Sequence, residues 1–147
     1  IFPNFLFTYS GTIYLIAYYP KYKKDINFAI QNIIHVEQLY TTFPMPPKFD
    51  YKKFKLDRFA VFDGELKKVS LLIPAKYRIY FENRNWHPTQ KEIVQKDGSM
   101  ILTMKVPLSY ELVGWICRWN ICIKVLEPEE LIEDVKSFLQ NTLNQYE

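Results

Sequence analysis

Two runs of alternating character open the chain. Phe5 to Tyr9 and Thr12 to Tyr19 are rich in aromatic and β-branched residues, and the turn pair Ser10-Gly11 lies between them, so the spacing predicts a hairpin closed by Pro20. Beyond a short lysine run, Ile26, Phe28 and Ile30 alternate with Asn27, Ala29 and Gln31, the period of a half-buried strand, and a further short strand is expected through Ile34 to Leu39. These pieces predict a small antiparallel sheet or partly open β-barrel that lacks its first strand. Thr41 to Lys48 reads TTFPMPPK; its three prolines oppose both helix and ladder, which makes it an extended linker and the expected domain boundary. Phe49 to Phe59 has room for one or two helical turns.

From Leu66 the pattern changes to strands alternating with helices. Val69, Leu71 and Ile73 alternate as a strand, and Pro74 is placed to open a helix through about Asn83. Ile93 to Gln95 and Met100 to Val106 flank Lys96-Asp97-Gly98-Ser99, whose Asp-Gly pair can supply the positive φ angles of a tight hairpin. Ser109 can cap a helix in which Leu112, Trp115, Ile116 and Trp119 share a face, with Asn120 expected at its left-handed end. Ile121, Ile123 and Val125 alternate as the last strand. Pro128-Glu129-Glu130 starts a final helix with Leu131, Ile132, Val135, Phe138, Leu139, Leu143 and Tyr146 on one stripe. The expected fold class is therefore α+β. A partial Sm-like or SH3-like β-barrel over residues 1–42 leads through a linker at 43–65 to a ferredoxin-like β-α-β-β-α-β domain with a C-terminal helix over 66–147.

Composition adds little to fold but narrows function. Hydrophobic residues at 48% and charged residues at 24% are values of a globular chain with a core. The aromatic share of 17% suits strands and contact surfaces. A net charge of +3 is too small to argue for nucleic acid by itself, because backbone binding needs several cations converging on one face. The densest basic run, Lys21, Lys23 and Lys24 around Tyr22, reads as a solvated loop or, less often, a phosphate contact. Cys117 and Cys122 sit in apolar runs and read as reduced, buried thiols of a cytoplasmic protein. No run of 18 apolar residues and no charged region before an apolar start points to a membrane or a signal peptide. Ile1-Phe2-Pro3 runs directly into strand-like sequence, so the chain is expected to begin inside a domain.

Catalytic chemistry is not visible. A hydrolase or transferase needs a nucleophile beside a base, paired acids or a ligand cluster. The two histidines, His35 and His87, have no acid or cysteine at ligand spacing, so no metal is expected. His87, within Trp86-His87-Pro88-Thr89-Gln90, is better suited to tying down a turn than to moving protons. Asp57-Arg58 and Glu82-Asn83-Arg84 read as surface or inter-domain ion pairs. Gly11, Gly64, Gly98 and Gly114 are scattered singly, which excludes a Gly-rich phosphate loop, and no cofactor is expected.

Specific strings carry a family resemblance. Gly11-Thr12-Ile13-Tyr14-Leu15-Ile16-Ala17-Tyr18, after Pro3-Asn4-Phe5-Leu6-Phe7, resembles the signature strand of WYL domains. Trp86-His87-Pro88-Thr89-Gln90, Asp97-Gly98, Glu111-Leu112, Trp115 and Val125-Leu126-Glu127-Pro128-Glu129-Glu130-Leu131 resemble, in order, the C-terminal extension (WCX) that follows WYL domains in many bacterial transcription regulators of the helix-turn-helix, DeoR-like type. The resemblance implies a regulatory portion without its DNA-binding head, so that DNA is reached only through an absent N-terminal helix-turn-helix domain. It also implies a homodimer and a nucleotide or oligonucleotide effector.

The sequence departs from that pattern where charge matters. Ile13 replaces the Trp of the family triplet. In the following strand Phe28, Ile30 and Ile33 keep the apolar spacing, whereas the family's arginines are Ile26, Ala29 and Asn32 here and its acid is Gln31. A phosphate ligand would lose its bidentate partners there. The expected ligand-binding set is accordingly neutral, Tyr14, Asn27, Gln31 and Asn32, with Lys23 and Lys24 as nearby charge. Arg84, Trp86, His87, Gln90 and Trp115 are expected as interface or structural-motif residues. Two alternatives stand beside effector sensing: a non-sensing dimerisation module, and an enzyme with His87 as base.

Overall fold

The computed structural model describes residues 1–40, 46 and 48–147, which group into two compact units, Ile1–Asp50 and Tyr51–Glu147. In the first, β1 (Phe2–Tyr9), β2 (Thr12–Tyr19) and β3 (Lys24–Ala29) form an antiparallel sheet in sequence order. Ser10 and Gly11 have φ angles of 47° and 79°, the two positive values that a two-residue hairpin turn needs. The β1–β2 register is broken by a bulge between Pro3 and Phe5, beside a residue with no N–H to donate. Ile16 and Ala17 are fully buried. Phe5 packs on Phe7 and Phe49 with ring centroids 6.0 and 5.2 Å away. No barrel closes among the described residues.

The chain after β3 corrects the sequence reading. Ile30–Asn32 make one 3₁₀ turn, closed by the Ile33 N–H on the Ile30 carbonyl at 3.1 Å, so β3 stops before Ile30. The strand expected through Ile34 to Leu39 does not form. Alternation supplies one apolar face but not a ladder partner, and here Ile34 is 100% exposed and Val36 80% exposed. Most of the expected proline-rich linker, residues 41–45 and 47, lies outside the described residues.

The second unit starts with α1 (Tyr51–Leu56) and the short pair β4 (Arg58–Phe59) and β5 (Phe62–Asp63), all within the stretch expected as linker. Its main sheet comprises β6 (Leu66–Ile73), β7 (Lys91–Val94), β8 (Met100–Pro107) and β9 (Lys124–Glu127) in the spatial order β7-β8-β6-β9, every neighbour antiparallel. Register sets Val69 opposite Met104, Leu71 opposite Leu102 and Ile73 opposite Met100, and all six are fully buried. Helices α2 (Tyr110–Arg118) and α3 (Glu129–Leu143) contribute Leu112, Val113, Ile116 and Leu131 to this core. Each such side chain contributes about 1.5–3 kcal/mol on burial, and the class is mixed α+β. Ser109 caps α2 as expected, its Oγ accepting from the Leu112 N–H at 3.2 Å.

Several local expectations change. The helix expected from Pro74 to Asn83 is a 3₁₀ segment, Ala75–Tyr80, with Tyr77 N–H on the Pro74 carbonyl at 2.9 Å. Only Phe81 is fully buried there while Ile79 and Tyr80 are exposed, so no 3.6-residue apolar stripe rewards a longer α-helix. In the β7–β8 hairpin Gly98 alone takes a positive φ, 82°; Asp97 instead accepts the Ser99 N–H at 3.0 Å, giving a longer loop than a two-residue turn. Helix α2 ends at Arg118 and passes through a right-handed Trp119 into a 3₁₀ turn, Asn120–Cys122, rather than stopping on a left-handed Asn120. The last strand consequently begins at Lys124, and Ile121 is 68% exposed. Cys117 and Cys122 are free but half-buried, and burial pushes the Cys117 thiol up. The apolar stripe of α3 is buried only over its first half, since Leu139, Leu143 and Tyr146 are exposed.

Candidate functional site

Antiparallel register decides which expected ligand-binding residues share a face, because directly opposed side chains point the same way. Tyr14 lies opposite Phe7 and Ala29, stacked on the Phe7 ring at 5.4 Å. Asn27 lies opposite Ile16 on that same face. Leu15 and Phe28, opposed to each other, occupy the other face, together with Lys24 opposite Tyr19. Lys23 sits in the turn after Pro20 with φ 51°. Beside it Tyr22 meets Tyr19 edge-on at 5.1 Å, and the Lys21 ammonium lies 5.8 Å from the Tyr22 ring. Gln31 and Asn32 lie in the exposed 3₁₀ turn. The structure thus joins Tyr14 with Asn27, and places Lys24 and the cavity wall on the opposite side of the sheet.

That opposite face carries a cavity of about 970 Å³. Leu15 and Phe28 form its floor, and the extended segment from Ile33 to Leu39 forms a wall. Of the expected ligand-binding residues only Asn32 lines it; Tyr14, Lys23, Lys24, Asn27 and Gln31 do not. Sequence reasoning missed this wall because apolar alternation at Ile34 and Val36 reads as strand, and nothing in it says that the segment is left unpaired.

In the second unit the Trp86 to Gln90 run builds an internal clamp. Gln90 Oε1 accepts from the Trp86 N–H at 2.6 Å and the His87 N–H at 3.2 Å. Its Nε2 donates to the Arg84 carbonyl at 2.6 Å and to Glu92 at 2.8 Å. His87 is 4% exposed. The Thr89 N–H donates to its Nδ1 at 3.2 Å, so Nδ1 is an acceptor and Nε2–H is the donor to the Arg58 carbonyl at 2.9 Å. Thr89 Oγ1 continues the chain by accepting from the Lys105 N–H at 2.9 Å. Desolvation holds the imidazole below its ordinary pKa, partly offset by the Arg58 and Lys55 carbonyls.

Aromatic rings pack around this clamp. Trp86 lies 5.2 Å from Trp115 and 5.7 Å from Trp119, and Phe81 lies 4.7 Å from Trp119. Trp115 also meets Phe59 at 5.6 Å. Arg84, exposed, covers the Trp86 ring at 5.7 Å. The indole Nε1 atoms of Trp86 and Trp119 are buried without a hydrogen-bond acceptor. With both its ring nitrogens engaged and its surface covered, His87 is built to hold Arg58 and Thr89 together, and it presents no free nitrogen to a substrate. Among the described residues no three His, Cys, Asp or Glu side chains assemble as a metal-ligand set, and no helix is long and apolar enough to cross a membrane.

A family profile described as the WCX domain matches residues 68–143, more than half of the chain. No curated protein matches the sequence. Among solved structures, proteasome accessory factor B/C (PafBC) of Arthrobacter aurescens is similar at 17% identity with a TM-score of 0.42, over 99% of this chain and 22% of that one. The chain therefore spans less than a quarter of the length of that relative.

Proposed function

Because this chain belongs to the WCX domain family, we propose that it is the C-terminal regulatory portion of a bacterial transcription regulator. The WCX match over residues 68–143 carries the proposal. The WYL-like run Gly11 to Tyr18, which crosses the turn into β2 of the preceding unit, supports it. In this reading the β-unit senses an effector, the second unit joins subunits of a homodimer, and DNA is bound elsewhere in the protein. The finer fold names belong to the same reading: the order β7-β8-β6-β9 with two crossover connections supports a ferredoxin-like second unit, and the three-stranded meander supports part of an Sm-like barrel. A cytoplasmic location with reduced thiols suits such a regulator.

A thermal-shift series with nucleotides, cyclic dinucleotides, short oligonucleotides and apolar metabolites tests sensing, because a ligand selective for the folded state raises the melting temperature. A rise with at least one class is expected; no rise with any would remove the sensing role. A second reading, dimerisation without sensing, is favoured by the outer half of α3, where Leu139 and Leu143 are each 53% exposed and Tyr110 packs on Phe138 at 5.7 Å beside them. Light scattering across a concentration series decides it, a monomer throughout counting against both dimer roles.

A further inference from the structure

We propose that the cavity of the first unit is a site for an uncharged, predominantly apolar small molecule with few hydrogen-bonding groups. The inference deepens the effector reading above and rests on it. Three observations carry it. The cavity, at about 970 Å³, is at the upper end of the range of small-molecule sites, roughly 300–1,000 Å³. Its floor and wall are hydrocarbon and aromatic: Leu15, Phe28, Ile33, Val36 and Leu39. Val36 is 80% and Leu39 59% exposed, so a ligand seated there removes apolar surface from water, which is the driving force for occupancy.

Charge selects the class of ligand. Among the described lining residues the only charged side chain is Glu37, and none of Lys21, Lys23 and Lys24 reaches the wall. A phosphate or carboxylate brought into this space would meet a carboxylate instead of a cation and would lose its hydration without a charge-assisted partner. What the wall does offer is neutral: the amides of Asn32 and Gln38 and the imidazole of His35 can donate to or accept from a hydroxyl, carbonyl or amide of the ligand. The occupant is thus a neutral, predominantly apolar molecule with few hydrogen-bonding groups, in place of a nucleotide.

The test titrates the whole chain with N-phenyl-1-naphthylamine, a neutral fluorophore, and runs thermal shifts with ATP and a short oligothymidylate in parallel. Val36→Arg introduces a cation on the wall at a side chain too exposed to matter for folding, and Ile79→Arg does the same at an exposed position of the second unit as a control. Saturable one-to-one binding is expected, weakened by about tenfold or more in Val36→Arg and unchanged in Ile79→Arg. Binding that Val36→Arg leaves intact, or that Ile79→Arg also removes, overturns the site. ATP or oligonucleotide binding that displaces the fluorophore overturns the ligand class while leaving effector sensing in place. Self-association abolished by Val36→Arg assigns the cavity to a second copy and overturns the small-molecule reading. No response to fluorophore or nucleotides removes the proposal and, together with the wider thermal-shift series, the sensing role.

Discussion

The Nε2–H of His87 donates to the Arg58 carbonyl across 2.9 Å, so a buried imidazole ties strand β4 to the turn that precedes β7. Nε2–H is a donor whether or not the ring is charged, but the Thr89 N–H donates to Nδ1, and protonation there would remove that acceptor. Arg58 itself is 8% exposed, and its guanidinium stands over the Phe54 ring at 4.0 Å and 3.9 Å from Asp63.

Stability should therefore depend on pH through His87. Its folded pKa is lowered from 6.5, so the unfolded chain binds more protons as pH falls through 6.5. Stability contributed by this group is fully present above that value and is lost progressively from 6.5 down through the lower folded pKa. Melting temperature measured from pH 8 to pH 5 should be flat at first and then decline. The His87→Gln variant should be less stable at pH 8 and lose less of its remaining stability over the same interval; parallel curves for the two proteins would show that another group titrates.

Gln90 should matter more than its position on a turn suggests. Its side chain joins two backbone N–H groups to the Arg84 carbonyl and to Glu92. Gln90→Ala should cost about 2 kcal/mol in denaturant unfolding, since partly buried donors lose their acceptor. Gln90→Glu keeps an acceptor for the Trp86 and His87 N–H groups but loses both donations and meets Glu92, so it should fall between the two.

Phe81 is the aromatic that other rings surround, fully buried with Trp86, Trp115 and Trp119 at centroid distances of 5.8, 6.5 and 4.7 Å. Phe81→Ala should destabilise by about 3–5 kcal/mol, as large core truncations do. Because all three tryptophans border the vacated space, the native fluorescence spectrum should shift as well.

Two glycines should answer oppositely to alanine. Gly98 has φ of +82°, and an added Cβ would stand 3.3 Å from Ala75 Cβ, so Gly98→Ala should lose about 1–2 kcal/mol. Gly114 lies inside α2 with nothing within 4 Å of an added Cβ, so Gly114→Ala should gain about 0.5–1 kcal/mol. Midpoints of urea unfolding for the pair provide the comparison.

Local chemistry was legible where a residue type answers a local demand. Ser10-Gly11 turns the first hairpin, Ser109 caps α2, and the paired alternation of Val69, Leu71 and Ile73 buries one face of β6. Each depends on neighbours within a few residues or on a period that any core would use. Where an element depends on a distant partner, the reading failed. Ile34 and Val36 alternate like a strand yet have no ladder, and the Pro74 segment has the composition of a helix yet anchors only Phe81 in full.

The candidate sites divide the same way. From the sequence, through its family resemblance, came the expectation that Trp86, His87, Gln90 and Trp115 act as interface or structural-motif residues, and the absence of arginine at Ile26, Ala29 and Asn32. Tertiary structure decided what those residues touch: His87 meets a carbonyl twenty-nine positions away, and Tyr14 and Asn27 share the face opposite the cavity. Sequence specifies dihedral preference and periodicity, which act locally. Which face of a strand is covered, and which nitrogen of an imidazole is taken, follow from chain segments that meet only when the fold closes.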